Sequence, residues 1–412
     1  MNRYLNINFL SKFYIDHFFA FFVFAGLVSM LFSISNPGVR FWELAVLVAI
    51  PAIGSLKLKP VDLLVLCYIL YCLLTFLWGD ISFDVFINGG VKCQLLPISF
   101  YFIARNSRYS DNAMLYNMSF PLTFAFTSAL YLYFAMPTWY LDYKTKDLEI
   151  GISSQSWYEN TRLSGFWGWS YVLGYVALFY IMFEMKRRYI DQKYTKLFGM
   201  QMIIAFFVLF FAQQRVSIAY CCVYLIFLLF INSQKKSAFI KILFLSLLGL
   251  GVIVGMIYYV IFNYMNLQFI EYILNRSVNH DSNLVEERFL LFEKYFRSIS
   301  LFGSGIGKYS HYVFSVLNQD TISDCDYIRL LNEVGIIGFY ILAIIITIVL
   351  IMGKKHLKTN FYEINVVLFL LVSMIGAAPL EAWTLHPYMY WYCMGRIVYN
   401  NYIVPNGKLQ KY

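Results

Sequence analysis

The sequence predicts an all-α polytopic membrane protein of about twelve transmembrane helices, with one large helical loop on its outer side. Three observations carry this. The 412 residues are 60% hydrophobic and only 13% charged. A soluble domain needs about 25% charged residues to cover its surface. The apolar residues fall in runs near 20, the length of a membrane-spanning helix. Alternating ten-residue apolar strands are absent, which disfavours an outer-membrane barrel. The mean hydropathy of +0.62 agrees.

In order, the spans are expected near 13–33, 40–54, 61–79, 84–104, 114–136, 166–185, 198–213, 216–232, 239–263, 332–352, 363–382 and 386–403. The first run is long enough to remain in the membrane as a signal anchor, and no cleavable signal peptide is evident. With both termini inside, every inside segment carries at least two Lys or Arg residues, as at Lys57 and Lys59, Arg105 and Arg108, and Lys354 and Lys355. The five at 186–197 are the largest group. Nineteen positive charges fall inside, against six in the short outside segments. That asymmetry is the usual signature of orientation. The net charge of +9 therefore reports topology, and no nucleic-acid partner is expected. The partner implied directly is the lipid bilayer.

Three regions follow: 1–263 with nine spans and an outside loop at 137–165, the outside loop 264–331, and 332–412 with three spans. A loop of the size of 264–331 is usually functional or disordered. Val285, Phe289, Phe292, Phe296 and Ile299 recur at helical spacing. They predict an amphipathic helix lying on the membrane or capping the bundle. A structural lid and a catalytic subdomain both remain open for it.

The chemistry-bearing residues are few. Seven cysteines lie mostly in apolar runs, and no Cys/His spacing suits a metal. Arg215 stands at the outer turn between two apolar spans, in Gln213-Gln214-Arg215-Val216-Ser217. It is either a snorkelling anchor or a fork for phosphate oxygens. Arg162, in Arg162-Leu163-Ser164-Gly165, and Arg288, at the start of the amphipathic helix with Arg297 beyond it, make a candidate anion site. Gly303-Ser304-Gly305-Ile306-Gly307-Lys308 resembles a phosphate loop but fails its spacing, since Phe302 and Tyr309 stand where Gly and Ser or Thr are required. A flexible turn is expected there. Asp324 and Asp326 lead into the tenth span, where a carboxylate serves either as a general base or as a helix cap. Glu333, buried in that helix, would need Arg329 four residues earlier as its partner. Glu381, His386 and Arg396 are expected to form structural pairs in the last hairpin.

Together these residues resemble the O-antigen polymerase and ligase superfamily, bacterial inner-membrane glycosyltransferases of the GT-C type. The resemblance covers roughly 160–345. It rests on Arg162-x-Ser164-Gly165, Arg215 atop a hairpin, Arg288 with the Leu301-Phe302-Gly303-x-Gly305-x-Gly307 run, and Tyr327-Ile328-x-x-Leu331-x-Glu333-x-Gly335-x-x-Gly338. It implies an undecaprenyl-diphosphate-linked oligosaccharide as donor, a periplasmic site, no cofactor or metal, and a chain-length regulator protein as partner. Arg215, Arg288 and Arg162 would bind the diphosphate. Asp324, with His311 second, would act on the accepting hydroxyl, and Tyr327, Glu333 and Arg297 would contact the sugars. Ligases of the group carry a His-Asn pair eleven residues before the glycine that matches Gly335. Asp324 and Cys325 stand there instead, which favours a polymerase of the Wzy type. A lipid-linked oligosaccharide flippase is the rival reading. No internal repeat of the transporter kind supports it.

Overall fold

The computed structural model describes residues 2–31, 44–106, 109, 113–135, 137–140, 163–167, 170–193, 196–232, 293–310, 312–313, 325–375, 377, 379–380 and 385–403. Among these, every regular element is helical. The main helices are α1 (Asn2–Asp16), α2 (Phe18–Leu31), α3 (Ala45–Gly54), α4 (Pro60–Leu74), α5 (Ser99–Arg105), α6 (Ser119–Ala135), α7 (Ser170–Tyr189), α8 (Phe198–Phe211), α9 (Arg215–Asn232), α10 (Asp326–Glu333), α11 (Gly335–Lys355), α12 (Phe361–Ser373) and α13 (His386–Ile403). The chain divides into two compact units, Met1–Tyr224 with Ser300–Tyr412, and Leu225–Ile299.

Three described helices are long and apolar enough to cross a membrane: Pro60–Leu77, Ala113–Ala135 and Gly335–Lys355. A bent pair, Asn8–Asp16 with Phe18–Val28, makes a fourth if it is one span. Only 33% of the Pro60–Leu77 and Gly335–Lys355 windows is buried. Helices this apolar, with only a third of the window's residues buried, are compatible with lipid around them.

Several expected spans differ in detail. The first is broken by 70° between Asp16 and Phe18, where the polar pair Asp16-His17 interrupts the apolar run. The stretch expected as a span at 84–104 is no uniform α-helix. Phe86–Leu95 forms a π-helix and Leu96–Ile98 a 3-10 turn before α5 begins. Pro97 has no N–H to donate, so the regular ladder cannot run through it. The span expected at 332–352 starts later, because Gly335 takes a left-handed φ of 69° and separates α10 from α11. α12 is shorter than expected, ending at Ser373. The span at 239–263 and most of loops 137–165 and 264–331 lie outside the described residues. Of the expected amphipathic helix, the described turn at 293–297 leaves Phe296 exposed and Tyr295 buried.

α13 is the central helix. It packs against α5, α11 and α12, and Tyr388, Tyr390, Tyr392, Cys393 and Met394 are fully buried. Arg396 lies over the Tyr399 ring and donates to Asn400, which in turn donates to Asn360 beside α12. His386 sits among Tyr171, Tyr175 and Phe179 of α7.

Two polar clusters mark the ends of α4. At its start, Asp62 receives a bidentate pair from Arg105 at 2.9 and 3.0 Å and the Tyr101 hydroxyl at 2.7 Å. Lys59 and Arg105 both lie over the Tyr402 ring. At its far end, Tyr71, Thr75 and Trp78 bond to Phe302, Ile306 and Val334. The second cluster leads to the candidate site.

Candidate functional site

The glycine-rich segment is the hub of this end of the molecule. Ser304 and Gly305 donate their backbone N–H groups to the carbonyls of Asn332 and Glu333, at 2.8 and 3.0 Å. Ile336 and Ile337 donate back to Ser300 and Leu301. Tyr309 N–H reaches Glu333 Oε1 at 2.9 Å. The expected flexible turn is therefore corrected: the segment is fastened on several sides. Its glycines serve close backbone approach. A Cβ on Gly303 would stand 2.3 Å from Glu333 O, and one on Gly307 2.3 Å from Gly90 N. No larger residue fits either place.

Beneath it lies a buried charge cluster. Asp326, Arg329 and Glu333 on α10 have no exposed surface. Their spacing of three and four residues puts all three on one helix face. Arg329 Nε donates to Asp326 Oδ1 at 2.8 Å, and its Nη1 to Glu333 Oε2 at 3.1 Å. Leu380 N–H donates to Asp326 Oδ2 at 2.7 Å, and Gln94 Nε2 donates to Glu333. Burial pushes the Asp326 carboxyl above its ordinary value, against the pull of Arg329 and of the Leu380 N–H. Of the two roles left open for a carboxylate here, base or helix cap, Asp326 does not take the cap. Cys325 holds the cap site without a side-chain bond, and the buried guanidinium takes the Asp326 carboxylate. Glu333 finds the partner expected of it. With donors at both of its oxygens, it acts as a tie between the π-helix, α10 and the glycine segment. Gln94 carries no signal in the sequence that would single it out.

Tyr327, on the same helix, gives its hydroxyl to Leu371 O at 2.7 Å and packs its ring on Phe339. Arg297 belongs to the other unit, where it pairs with Glu293 and stays 79% exposed. Asp324, His311, Arg288 and Arg162 lie outside the described residues. Glu381 does too.

Arg215 is the exposed first residue of α9. The preceding turn bends sharply, with Gln213 at φ 53°. No salt bridge reaches Arg215 among the described residues. A cation at a helix N-terminus adds to the positive end of the dipole rather than offsetting it. The two together attract an anion. Packing contacts link this turn to the rest of the same end. Leu163 N–H bonds to Phe211 O, and Gln214 lies against Gly174 of α7. α7 in turn packs on His386, and Leu380, just ahead of α13, bonds to Asp326. Groups of three or more His, Cys, Asp or Glu residues able to hold a metal do not occur among the described residues.

No curated protein matches the chain. Over residues 200–343, about a third of its length, it is similar to the Wzy_C family, described as O-antigen ligase, a match that supports the O-antigen polymerase and ligase superfamily.

Proposed function

We propose that this protein polymerises undecaprenyl-diphosphate-linked oligosaccharide repeats, of an O-antigen or a similar surface polysaccharide, at the periplasmic face of the bacterial inner membrane. The observation that carries the reading is the family match at 200–343, which takes in the exposed Arg215 turn, the glycine segment and α10. The growing chain passes from its lipid diphosphate to the terminal sugar of a new lipid-linked repeat. The accepting hydroxyl oxygen attacks the anomeric carbon, and the bond from that carbon to the diphosphate oxygen breaks. The hydroxyl proton goes to a base, Asp324 or His311, and undecaprenyl diphosphate leaves. A single displacement inverts the configuration.

Arg215, with Arg288 and Arg162, neutralises the charge that grows on the leaving diphosphate. The guanidinium fork suits two phosphate oxygens at once. Arginines supply the positive charge, so the reaction needs no cofactor. Tyr327 and Glu333 support the sugar site by holding α10 and the glycine segment in place, and Arg297 contacts sugar from the large loop. Both termini lie in the cytoplasm, and a chain-length regulator acts beside the polymerase.

The family's description favours a second reading, transfer of the finished glycan to the lipid A core. The banding of lipopolysaccharide from a strain lacking the protein separates the two. If the protein is the polymerase, that strain keeps a single repeat on the core and has no ladder. Loss of every repeat from the core refutes the polymerase and supports the ligase.

A further inference from the structure

A second polar group lies on the glycine segment's far flank and is not used by the diphosphate site. Asp84 is exposed, on the short helix that precedes the π-helix. Asn88 Nδ2 donates to its Oδ1 at 2.7 Å. The Tyr312 hydroxyl donates to its Oδ2 across the chain. Two donors from two segments thus fix the carboxylate in one orientation while it still faces solvent. An exposed Asp needs no such framing for solubility, and each carboxylate oxygen has a further lone pair to offer.

The group's chemistry selects its ligand. Asp84 carries a negative charge, and the Asn88 amide, with its N–H given to Asp84, presents its carbonyl oxygen. The edge they make is rich in acceptors. It repels a diphosphate and suits a ligand bearing several hydroxyl donors. Large aromatic surface is exposed close to Asp84 in sequence at Trp78 and Phe83, and also at Phe302. Trp78 and Phe302 meet edge to face at 6.0 Å between centroids, and Trp78 Nε1 bonds to Phe302 O. Exposed rings and exposed acceptors in one stretch of chain match the needs of a sugar, since its C–H faces are apolar and its rim is polar. The segment that carries Tyr312 is the one tied to Glu333 through Tyr309, so this group shares the scaffold of the proposed reaction site.

We infer that Asp84 and Asn88, framed by Tyr312, form a sugar-binding subsite that accepts hydrogen bonds from hydroxyls of the incoming repeat, the acceptor. The inference rests on the glycosyl-transfer reading for the identity of the sugar, but not for the binding.

The test uses the purified full-length protein in detergent. The probe is the free repeat-unit oligosaccharide of the host's own surface polysaccharide, released from its lipid, and its binding is titrated calorimetrically. Asp84→Asn keeps an oxygen for the Tyr312 hydroxyl and the side chain's shape, but loses the charge and the acceptor facing the Asn88 amide N–H. It is expected to weaken binding about tenfold or more, the scale of a charge-assisted hydrogen bond. Tyr312→Phe removes the hydroxyl that frames Asp84 and should weaken binding less. Both proteins should reach the membrane in normal amount. No binding by the wild-type protein overturns the subsite. So does equal binding by Asp84→Asn, or an Asp84→Asn effect no larger than that of Tyr312→Phe, which would reduce Asp84 to a structural tie. Glycan banding that is unchanged in a strain lacking the protein refutes the polymerase reading instead, and leaves the binding comparison to decide the subsite.

Discussion

Among the described residues, Arg329 is the one positive charge bonded to both buried carboxylates of the α10 cluster, and its removal should be among the costliest substitutions in the described part of the chain. Arg329→Met keeps a long apolar stem but takes away the donors to Asp326 Oδ1 and Glu333 Oε2. Asp326 retains only the Leu380 N–H, and Glu333 retains Tyr309 N–H and Gln94. Removing one partner of a buried ion pair costs about 3–5 kcal/mol, because the remaining charge stays buried and uncompensated. Here two carboxylates lose the same partner. Against a usual total of about 5–15 kcal/mol, the variant should melt far earlier. The melt can be followed in detergent with a thiol-reactive dye, since Cys72, Cys93 and Cys393 are buried and become reactive only on unfolding. The loss should also depend on pH. The Asp326 carboxyl already sits above its ordinary value of 3.8 in the folded protein, so the native state holds its proton longer than the unfolded chain does. Stability from this group is therefore complete below that ordinary value and is lost as pH rises through the folded value. Without Arg329 the folded value rises further. The gap between variant and wild type should then be wide at neutral pH and narrower in mild acid. Converting Asp326 to Asn and Glu333 to Gln in the same chain should recover much of the loss. A melt within about 1 kcal/mol of wild type, or a loss unchanged between acid and neutral pH, would refute this account of the cluster.

Arg215→Ala should abolish chain extension, read as loss of the ladder on gels, with normal protein in the membrane. Arg215→Lys should rescue poorly, because an ammonium lacks the planar fork; full activity of the alanine variant would reduce Arg215 to an anchor. Asp324→Asn keeps helix-capping ability but cannot take a proton, so a base at this position predicts a fall in rate of about a hundredfold or more with normal expression. A silent Asn variant would move the base to His311. A cysteine placed in 264–331 should react with an impermeant thiol reagent in whole cells and one placed in 186–197 should not; the reverse pattern would overturn the orientation.

Composition and run length made the helical membrane character legible, because lipid tolerates little else. The breaks within the spans were not legible in the same way. Asp16-His17, Pro97 and Gly335 each end a regular ladder, but hydropathy averages across them. The glycine segment shows the limit most clearly. Its spacing rules out a phosphate loop, yet three glycines in five residues read locally as freedom. In the fold they do the opposite, since Gly303 and Gly307 let backbone touch backbone, and the hydrogen bonds from Ser304 and Gly305 to Asn332 and Glu333 fix the segment. The i, i+3 and i, i+4 spacing of Asp326, Arg329 and Glu333 did foretell a shared helix face. It could not foretell the partners that come from 239 residues away, as Gln94 does to Glu333, or from 228 away, as Tyr312 does to Asp84. Local sequence specifies which side chains a helix presents together. What they tie together depends on which loops the bundle brings over that face. In this protein that is the difference between a buried Glu333, which sets the position of the glycine segment, and an exposed Asp84, which that same segment frames for a ligand.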